Sequence, residues 1–280
     1  MRKTIWSGLA ALSVICATAD AQAAVPKTYY IDEVTTYPGS ASCYANATLN
    51  DVTSSLQTAL SASGFTGYRY TNSAAYWTDF ADTCPQPNGG DGIWGDAKSL
   101  TVFAGHAGAN YLQFGYKNPS VGGCDLTPQS MSALGMLSGG AAVSGVFLGC
   151  DVLSSTGRGA INGQWLRQAF GWANTIPIGN DEPAQFFNLT APYYYTLYGT
   201  TYTIAAISNV DAWLSTMDGG GRHPVTITYG VNSSETNLIR SGAQLKSGNI
   251  MYHREAQTPA CVNGVVTNYP SYWIYTEEVL

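Results

Sequence analysis

Two apolar segments of the chain lead into residues that can do chemistry. Residues 100–104 (Leu-Thr-Val-Phe-Ala) run through a glycine into His106, and residues 143–148 (Val-Ser-Gly-Val-Phe-Leu) run through a glycine into Cys150. A cysteine acts as a nucleophile in its thiolate form, and a neighbouring imidazole both lowers the cost of forming the thiolate and protonates a leaving amine. His106 and Cys150 are therefore sufficient for acyl transfer if the two segments are neighbouring strands.

The residues around this pair leave room for backbone contacts with a substrate. Gly149 precedes the cysteine, and Ala107 and Gly108 follow the histidine; a glycine lets other atoms approach the backbone without meeting a Cβ atom. In the expected reaction Cys150 attacks a carbonyl carbon, His106 transfers the proton, and the amides of Cys150 and of Ala107 or Gly108 stabilise the oxyanion. The alternative is a purely structural role for a buried thiol and a satisfied histidine.

Strands and helices must bring these residues together. Short apolar or β-branched runs predict strands, and apolar residues at helical spacing predict helices. The predicted strands cover residues 28–35, 99–104, 142–148, 174–178 and 224–230, and the predicted helices cover residues 49–60, 127–137, 164–170 and 206–217. Strands that alternate with helices imply a mainly parallel sheet, so the predicted fold class is α/β. Ligands bind beyond the carboxyl ends of such strands, where we expect the histidine and the cysteine.

The N-terminus reads as an export signal. Arg2 and Lys3 precede a short apolar stretch over residues 5–17, and Ala21-Gln22-Ala23 is a small-residue cleavage site, a pattern typical of a secretory signal peptide over residues 1–23. Residues 24–280 are then interpreted as one α/β domain, with a core over about residues 28–231 and a partly irregular β extension over residues 232–280. We expect a soluble secreted or periplasmic protein; an uncleaved anchor is the alternative.

Removal of the signal leaves an odd number of cysteines, which are Cys43, Cys84, Cys124, Cys150 and Cys261. Disulfides persist outside the cytosol, so two bridges and one free thiol are the simplest arrangement. Cys150 is the candidate for the free thiol because it alone follows a buried strand that has a histidine-ended counterpart. Cys43 with Cys84 and Cys124 with Cys261 is then one of three pairings; a bond between Cys150 and Cys124 is the alternative.

The composition limits the classes of partner that the protein is expected to bind. Only 11% of the 280 residues are charged and the formal net charge is −6, which argues against a basic nucleic-acid binder, a coiled coil and a disordered chain. We expect a peptide or protein substrate, a monomeric chain, and no membrane insertion or nucleic-acid partner. His223 and His253 lack metal-ligand spacing, so neither a metal nor a cofactor is expected. Three aspartates near the histidine segment could hold calcium, although such residues usually cap turns; they are Asp91, Asp96 and Asp125.

An apolar strand that ends in His-Gly, followed by a second strand that ends in Cys, resembles the caspase, legumain, gingipain and clostripain superfamily of cysteine peptidases. Cys150 follows His106 by 44 residues, against about 50 in caspases. The chain is also similar, from about residue 29 to residue 217, to a family of uncharacterised, mostly bacterial secreted proteins with this core. The segments that carry this similarity are residues 77–80, 89–96, 105–108, 148–150 and 165–179. The resemblance implies a three-layer caspase-like fold and a Cys150/His106 dyad for peptide-bond hydrolysis.

The chain departs from the superfamily pattern at both residues of the dyad. Ala107 separates His106 from the next glycine, and the sequence typical of caspases around the nucleophile is absent. Asp151 directly follows the cysteine; it opposes thiolate formation if its carboxylate faces the sulfur. If it faces away, the resemblance makes it a candidate to recognise a basic P1 side chain, the residue before the cleaved bond. A non-catalytic exported binding module of the same fold is the competing hypothesis.

Overall fold

The structure is a computed structural model. It describes residues 25–39, 43, 46–81, 83–84, 88–90, 92–109, 111–126, 142–155, 166–174, 179–248, 260–263, 265–267 and 273–279. The predicted signal peptide, the predicted helix over residues 127–137, Asp91 and His253 lie outside these residues.

Strands and short helices alternate along the described chain. The strands are β1 (Thr28–Glu33), β2 (Thr36–Tyr37), β3 (Ala47–Thr48), β4 (Thr66–Thr71), β5 (Leu100–Ala104), β6 (Ala107–Gly108), β7 (Tyr111–Gln113), β8 (Asp125–Leu126), β9 (Ser144–Leu148), β10 (Gln168–Trp172), β11 (Tyr193–Leu197), β12 (Thr200–Ile204), β13 (Pro224–Gly230), β14 (Ala260–Val262), β15 (Val265–Thr267) and β16 (Trp273–Glu278). The helices are α1 (Ser54–Ala62), α2 (Glu182–Leu189), α3 (Asn209–Met217) and α4 (Ser233–Gly242), with 3₁₀ turns at Asn72–Ala74 and Trp77–Phe80.

A seven-stranded sheet in the order β16-β13-β10-β9-β5-β1-β4 organises the molecule. Its five strands from β10 to β4 are mutually parallel, whereas β13 and β16 are antiparallel to their neighbours. The central strands β5 and β9 are buried along their whole length, as expected for parallel strands covered on both faces. The predicted α/β class with a mainly parallel sheet is therefore confirmed.

The two faces of this sheet are covered differently. On one face an apolar cluster joins the sheet to all four helices, through residues such as Leu60, Phe187, Trp213 and Ile239. On the other face a second cluster, with Phe80, Leu112 and Leu126 among its members, lies under a 3₁₀ turn and the small sheet β6-β7-β8. No helix in the described part of the chain is long and apolar enough to cross a membrane.

Several predicted elements are confirmed near their predicted limits. Predicted strands 28–35, 99–104, 142–148 and 224–230 correspond to β1, β5, β9 and β13, and predicted helix 206–217 corresponds to α3. The helix predicted over residues 49–60 corresponds to α1, which begins five residues later, at Ser54. Helix α3 begins after Ser208, whose hydroxyl accepts a hydrogen bond from the Asp211 N–H and so caps the first turn.

One prediction in this stretch is wrong, and a second lies mostly outside the described residues. The expected helix over residues 164–170 is replaced by strand β10. Of the strand expected at residues 174–178, the structure describes Asn174 alone, which follows β10 and is not in a strand. Strand β10 is buried throughout, and a short, fully buried apolar run has no alternation that separates a strand from a helix. The C-terminal extension contains α4, the antiparallel pair β14–β15 and the edge strand β16 of the main sheet.

Candidate active site

The parallel pairing of β5 with β9 brings His106 and Cys150 to equivalent positions. Ala104 is paired with Leu148, the last residue of β9, and the Gly105 N–H donates to the Leu148 carbonyl oxygen at 3.1 Å. Each of the two site residues thus lies two positions beyond a paired residue. Both line one cavity of about 240 Å³ at the carboxyl ends of the strands, as the sequence predicted.

The two loops that carry the pair are in close contact because both contain glycine. A Cβ atom at Gly149 would lie 2.5 Å from the Ala107 Cβ and 3.0 Å from the Gly105 carbonyl oxygen. A Cβ atom at Gly105 would lie 2.8 Å from the Tyr37 hydroxyl oxygen. Cβ contacts below 3.0 Å are essentially never observed, so these positions need glycine for close approach of the backbone.

Tyr37 holds the backbone of the histidine loop. Its buried hydroxyl accepts a hydrogen bond from the His106 N–H at 2.7 Å and donates to the Gln113 carbonyl oxygen at 3.0 Å. The Gln113 N–H donates in turn to the His106 carbonyl oxygen at 2.9 Å. The rings of Tyr37 and His106 lie 4.7 Å apart. Sequence reasoning missed Tyr37, because nothing local marks a tyrosine 69 residues away as a partner of the histidine.

Burial lowers the pKa of His106. The imidazolium is less well solvated in the partly closed site than in water, so the neutral ring is favoured. At neutral pH the side chain is therefore available as a proton acceptor, which is the protonation state that a general base needs.

Cys150 is a free, half-buried thiol, as predicted from the cysteine count. Cys43 forms a disulfide with Cys124, with Cα atoms 5.6 Å apart, and Cys84 is also disulfide-bonded. The expected pairing of Cys43 with Cys84 and of Cys124 with Cys261 is therefore wrong. Tyr37 is the last residue of β2, and the Cys43–Cys124 bond connects the segment that follows β2 to the residue before β8.

The remaining predicted site residues surround the pair in different ways. Ala107 and Gly108 form β6, in which they pair with Leu112 and Tyr111 of β7, so the candidate oxyanion amides belong to a short hairpin. Asp151 has a left-handed backbone with φ of 57°, and its N–H donates to the Asn174 carbonyl oxygen at 3.3 Å. Asp151 is not among the described residues that line the cavity.

A buried acid that sequence reasoning missed lines the cavity. Glu33 ends β1 beside Ala104, and its side chain is 1% exposed. Oε1 accepts from the N–H groups of Val52 at 2.7 Å and Thr53 at 3.2 Å, and Oε2 accepts from the Thr53 hydroxyl at 2.8 Å and from the Arg69 guanidinium. The signal was present as two adjacent carboxylates, Asp32 and Glu33, at the end of an otherwise apolar strand, because buried carboxylates need partners.

The motif Trp77–Phe80 proves to be structural. It forms a 3₁₀ turn in which Asp79 Oδ2 accepts from the Tyr76 N–H at 3.2 Å and from the Tyr30 hydroxyl at 3.0 Å. Asp32 lies fully buried nearby, and desolvation together with the charge of Asp79 raises the pKa of Asp32 well above its usual value. These groups lie on the sheet face away from the helices, and they are not among the described residues that line the cavity.

The described chain contains no cluster of three histidine, cysteine, aspartate or glutamate side chains suited to a metal ion. Two of the three aspartates considered for calcium lie within it. Asp96 is buried just before β5, and Asp125 accepts a hydrogen bond from the Gln113 amide at 2.8 Å. His223 lies within 3.9 Å of Glu278 at the β13–β16 edge, apart from the cavity.

Comparison with known proteins adds no assignment to this geometry. No protein-family model and no curated protein matches the chain.

Proposed function

We propose that the protein is a secreted or periplasmic cysteine peptidase of caspase-like fold that uses Cys150 as nucleophile and His106 as proton carrier. The observation that carries the proposal is the shared cavity: a free thiol and an imidazole follow adjacent parallel strands at the same register and line the same space. Cys150 is a free thiol, whereas Cys43, Cys84 and Cys124 are disulfide-bonded, which fits an oxidising compartment.

The chemistry proceeds in two steps. His106 takes the thiol proton as the sulfur of Cys150 bonds to the carbonyl carbon; the C–N bond then breaks and the amine leaves with the proton held by His106. In the second step water gives a proton to His106 and its oxygen bonds to the acyl carbon. The thioester C–S bond breaks, and the sulfur regains the proton. Amides of Cys150 and of Ala107 or Gly108 stabilise the oxyanion formed in each step.

A non-catalytic binding module is the second candidate, and the lowered pKa of His106 favours it. A neutral imidazole lacks the positive charge with which an imidazolium stabilises a resting thiolate. An exported module of this kind would bind a peptide in the same cavity without cleaving it.

Trapping of the thiol separates the two candidates. The full exported chain is incubated with peptide chloromethyl ketones and a peptide library, and labelled cysteines are located by mass spectrometry. A peptidase labels at Cys150 and cleaves the library; Cys150→Ala and His106→Ala lose both hydrolysis and labelling, whereas His223→Ala, at the remote sheet edge, keeps them. If Cys150 proves to be disulfide-bonded in the native protein, or if Cys150→Ala hydrolyses peptides at the full rate, the proposed peptidase function is refuted. Labelling no faster than free cysteine, with no turnover, would favour the binding module.

A further inference from the structure

We propose, as a consequence of the peptidase function above, that the cavity beside Cys150 binds the P1 side chain and accepts uncharged residues of medium size, such as leucine, methionine or phenylalanine. This preference differs from the basic P1 residue considered for Asp151, which is not among the described residues that line the cavity.

The size of the cavity fits one side chain. Its volume is about 240 Å³, below the roughly 300–1,000 Å³ of sites that enclose whole drug-sized ligands and above the roughly 150 Å³ that holds a benzene ring. Its walls include the apolar side chains of Val34, Leu49, Val52 and Leu148. An apolar side chain that enters from Cys150 would therefore leave water and contact hydrocarbon.

Glu33 has no remaining capacity to bind a cationic side chain. An ionised carboxylate offers about four lone-pair positions, and four donors already use those of Glu33. Arg69 also balances its charge. The second carboxylate of this network, Asp51, is about half exposed to water, is bound by Arg69 at 2.7 Å, and does not line the cavity. A lysine or arginine side chain would lose its hydration without gaining a free acceptor.

An acidic side chain is disfavoured for a different reason. The described residues that line the cavity include no lysine or arginine. His106, the remaining basic group there, is held neutral by burial at neutral pH. An aspartate or glutamate side chain would therefore be desolvated in the cavity without a cation to pair with it.

Chloromethyl ketones of one tripeptide scaffold that differ only at P1 test the inference, with Leu, Arg or Asp at that position. The rate of Cys150 labelling is measured for each by mass spectrometry, and iodoacetamide reports the intrinsic reactivity of the thiol. We expect the Leu reagent to label at least tenfold faster than the Arg and Asp reagents. Labelling by Arg or Asp at an equal or higher rate would overturn the inference alone. Failure of every peptide reagent to exceed iodoacetamide would instead refute the peptidase on which it rests.

A charge placed on the rim gives a second test. Asn50 is exposed and lines the cavity, so Asn50→Asp adds a carboxylate without disturbing the core. We expect the ratio of Arg to Leu labelling to rise about fivefold, as for a single charge pair at about 4 Å in water. Asn237→Asp makes the same exchange at an exposed position on α4 and should leave the ratio unchanged. An unchanged ratio in Asn50→Asp, or an equal rise in Asn237→Asp, would show that another surface binds P1.

Discussion

Gly149→Ala tests whether close approach of two loops builds the site. The added methyl group would lie 2.5 Å from the Ala107 Cβ and 3.0 Å from the Gly105 carbonyl oxygen, where ordinary contacts begin at 3.4 Å. Both of these atoms are fixed to the backbone, so a rotamer change cannot relieve the overlap. The loop of Cys150 must instead move away from the loop of His106 by about 1 Å, a displacement that can cost about 100-fold in rate.

The same overlap sets the expected loss of stability. Overpacking of this kind costs about 1–3 kcal/mol, and each kcal/mol lowers the melting temperature of a chain of this size by about 2–4 °C. We therefore expect Gly149→Ala to melt about 2–12 °C lower and to show about 100-fold slower peptide-directed labelling of Cys150. Circular dichroism melting and mass spectrometry measure the two effects separately.

Gly90→Ala is the matched control for this prediction. Its added Cβ would meet Trp94 Cδ1 at 3.3 Å as its nearest neighbour, a contact that a small shift of the indole relieves. Both variants share the gain of about 0.4–1 kcal/mol from a stiffer unfolded chain, so the difference between them isolates the overlap. If Gly149→Ala melts and labels like Gly90→Ala, the proposed contact between the two loops does not hold the site together.

Two further predictions concern stability away from the cavity. Because Asp32 keeps its proton in the folded state to a higher pH than in the unfolded chain, the native protein should lose stability as pH rises above about 4, by at most about 1.4 kcal/mol per pH unit. In urea titrations at pH 5 and pH 8, the free energy of unfolding of Asp32→Asn should fall less between the two pH values than that of the unaltered protein. An equal fall in both proteins would contradict this role of Asp32. Replacing Cys43 and Cys124 together by serine should lower the free energy of unfolding by about 2–5 kcal/mol, whereas Cys150→Ser should leave it unchanged. If the double variant unfolds at the same urea concentration as the unaltered protein, the disulfide contributes nothing to stability.

The candidate dyad could be predicted from sequence because its signals are local. The apolar runs before His106 and Cys150 are long enough to specify buried strands, and their glycines mark where the strands end. The signal of β10 was weaker, because a short apolar run buried on both faces suits a helix as well as a strand. The segment is identified as a strand by its pairing with β9 on one side and with β13 on the other.

The walls of the site could not be read from the sequence in the same way. Glu33, Tyr37 and Asn50 lie 56 or more residues before His106, and their roles depend on how the chain returns to the ends of β5 and β9. The partner of Cys43 likewise depended on distance in space, since Cys84 is nearer in sequence than Cys124. The sequence by itself indicated where two buried strands end, which residues follow them and which thiol is the candidate to stay free. Only the tertiary structure decided which distant residues close the cavity, because contacts between strand ends and loops are set by packing rather than by spacing along the chain.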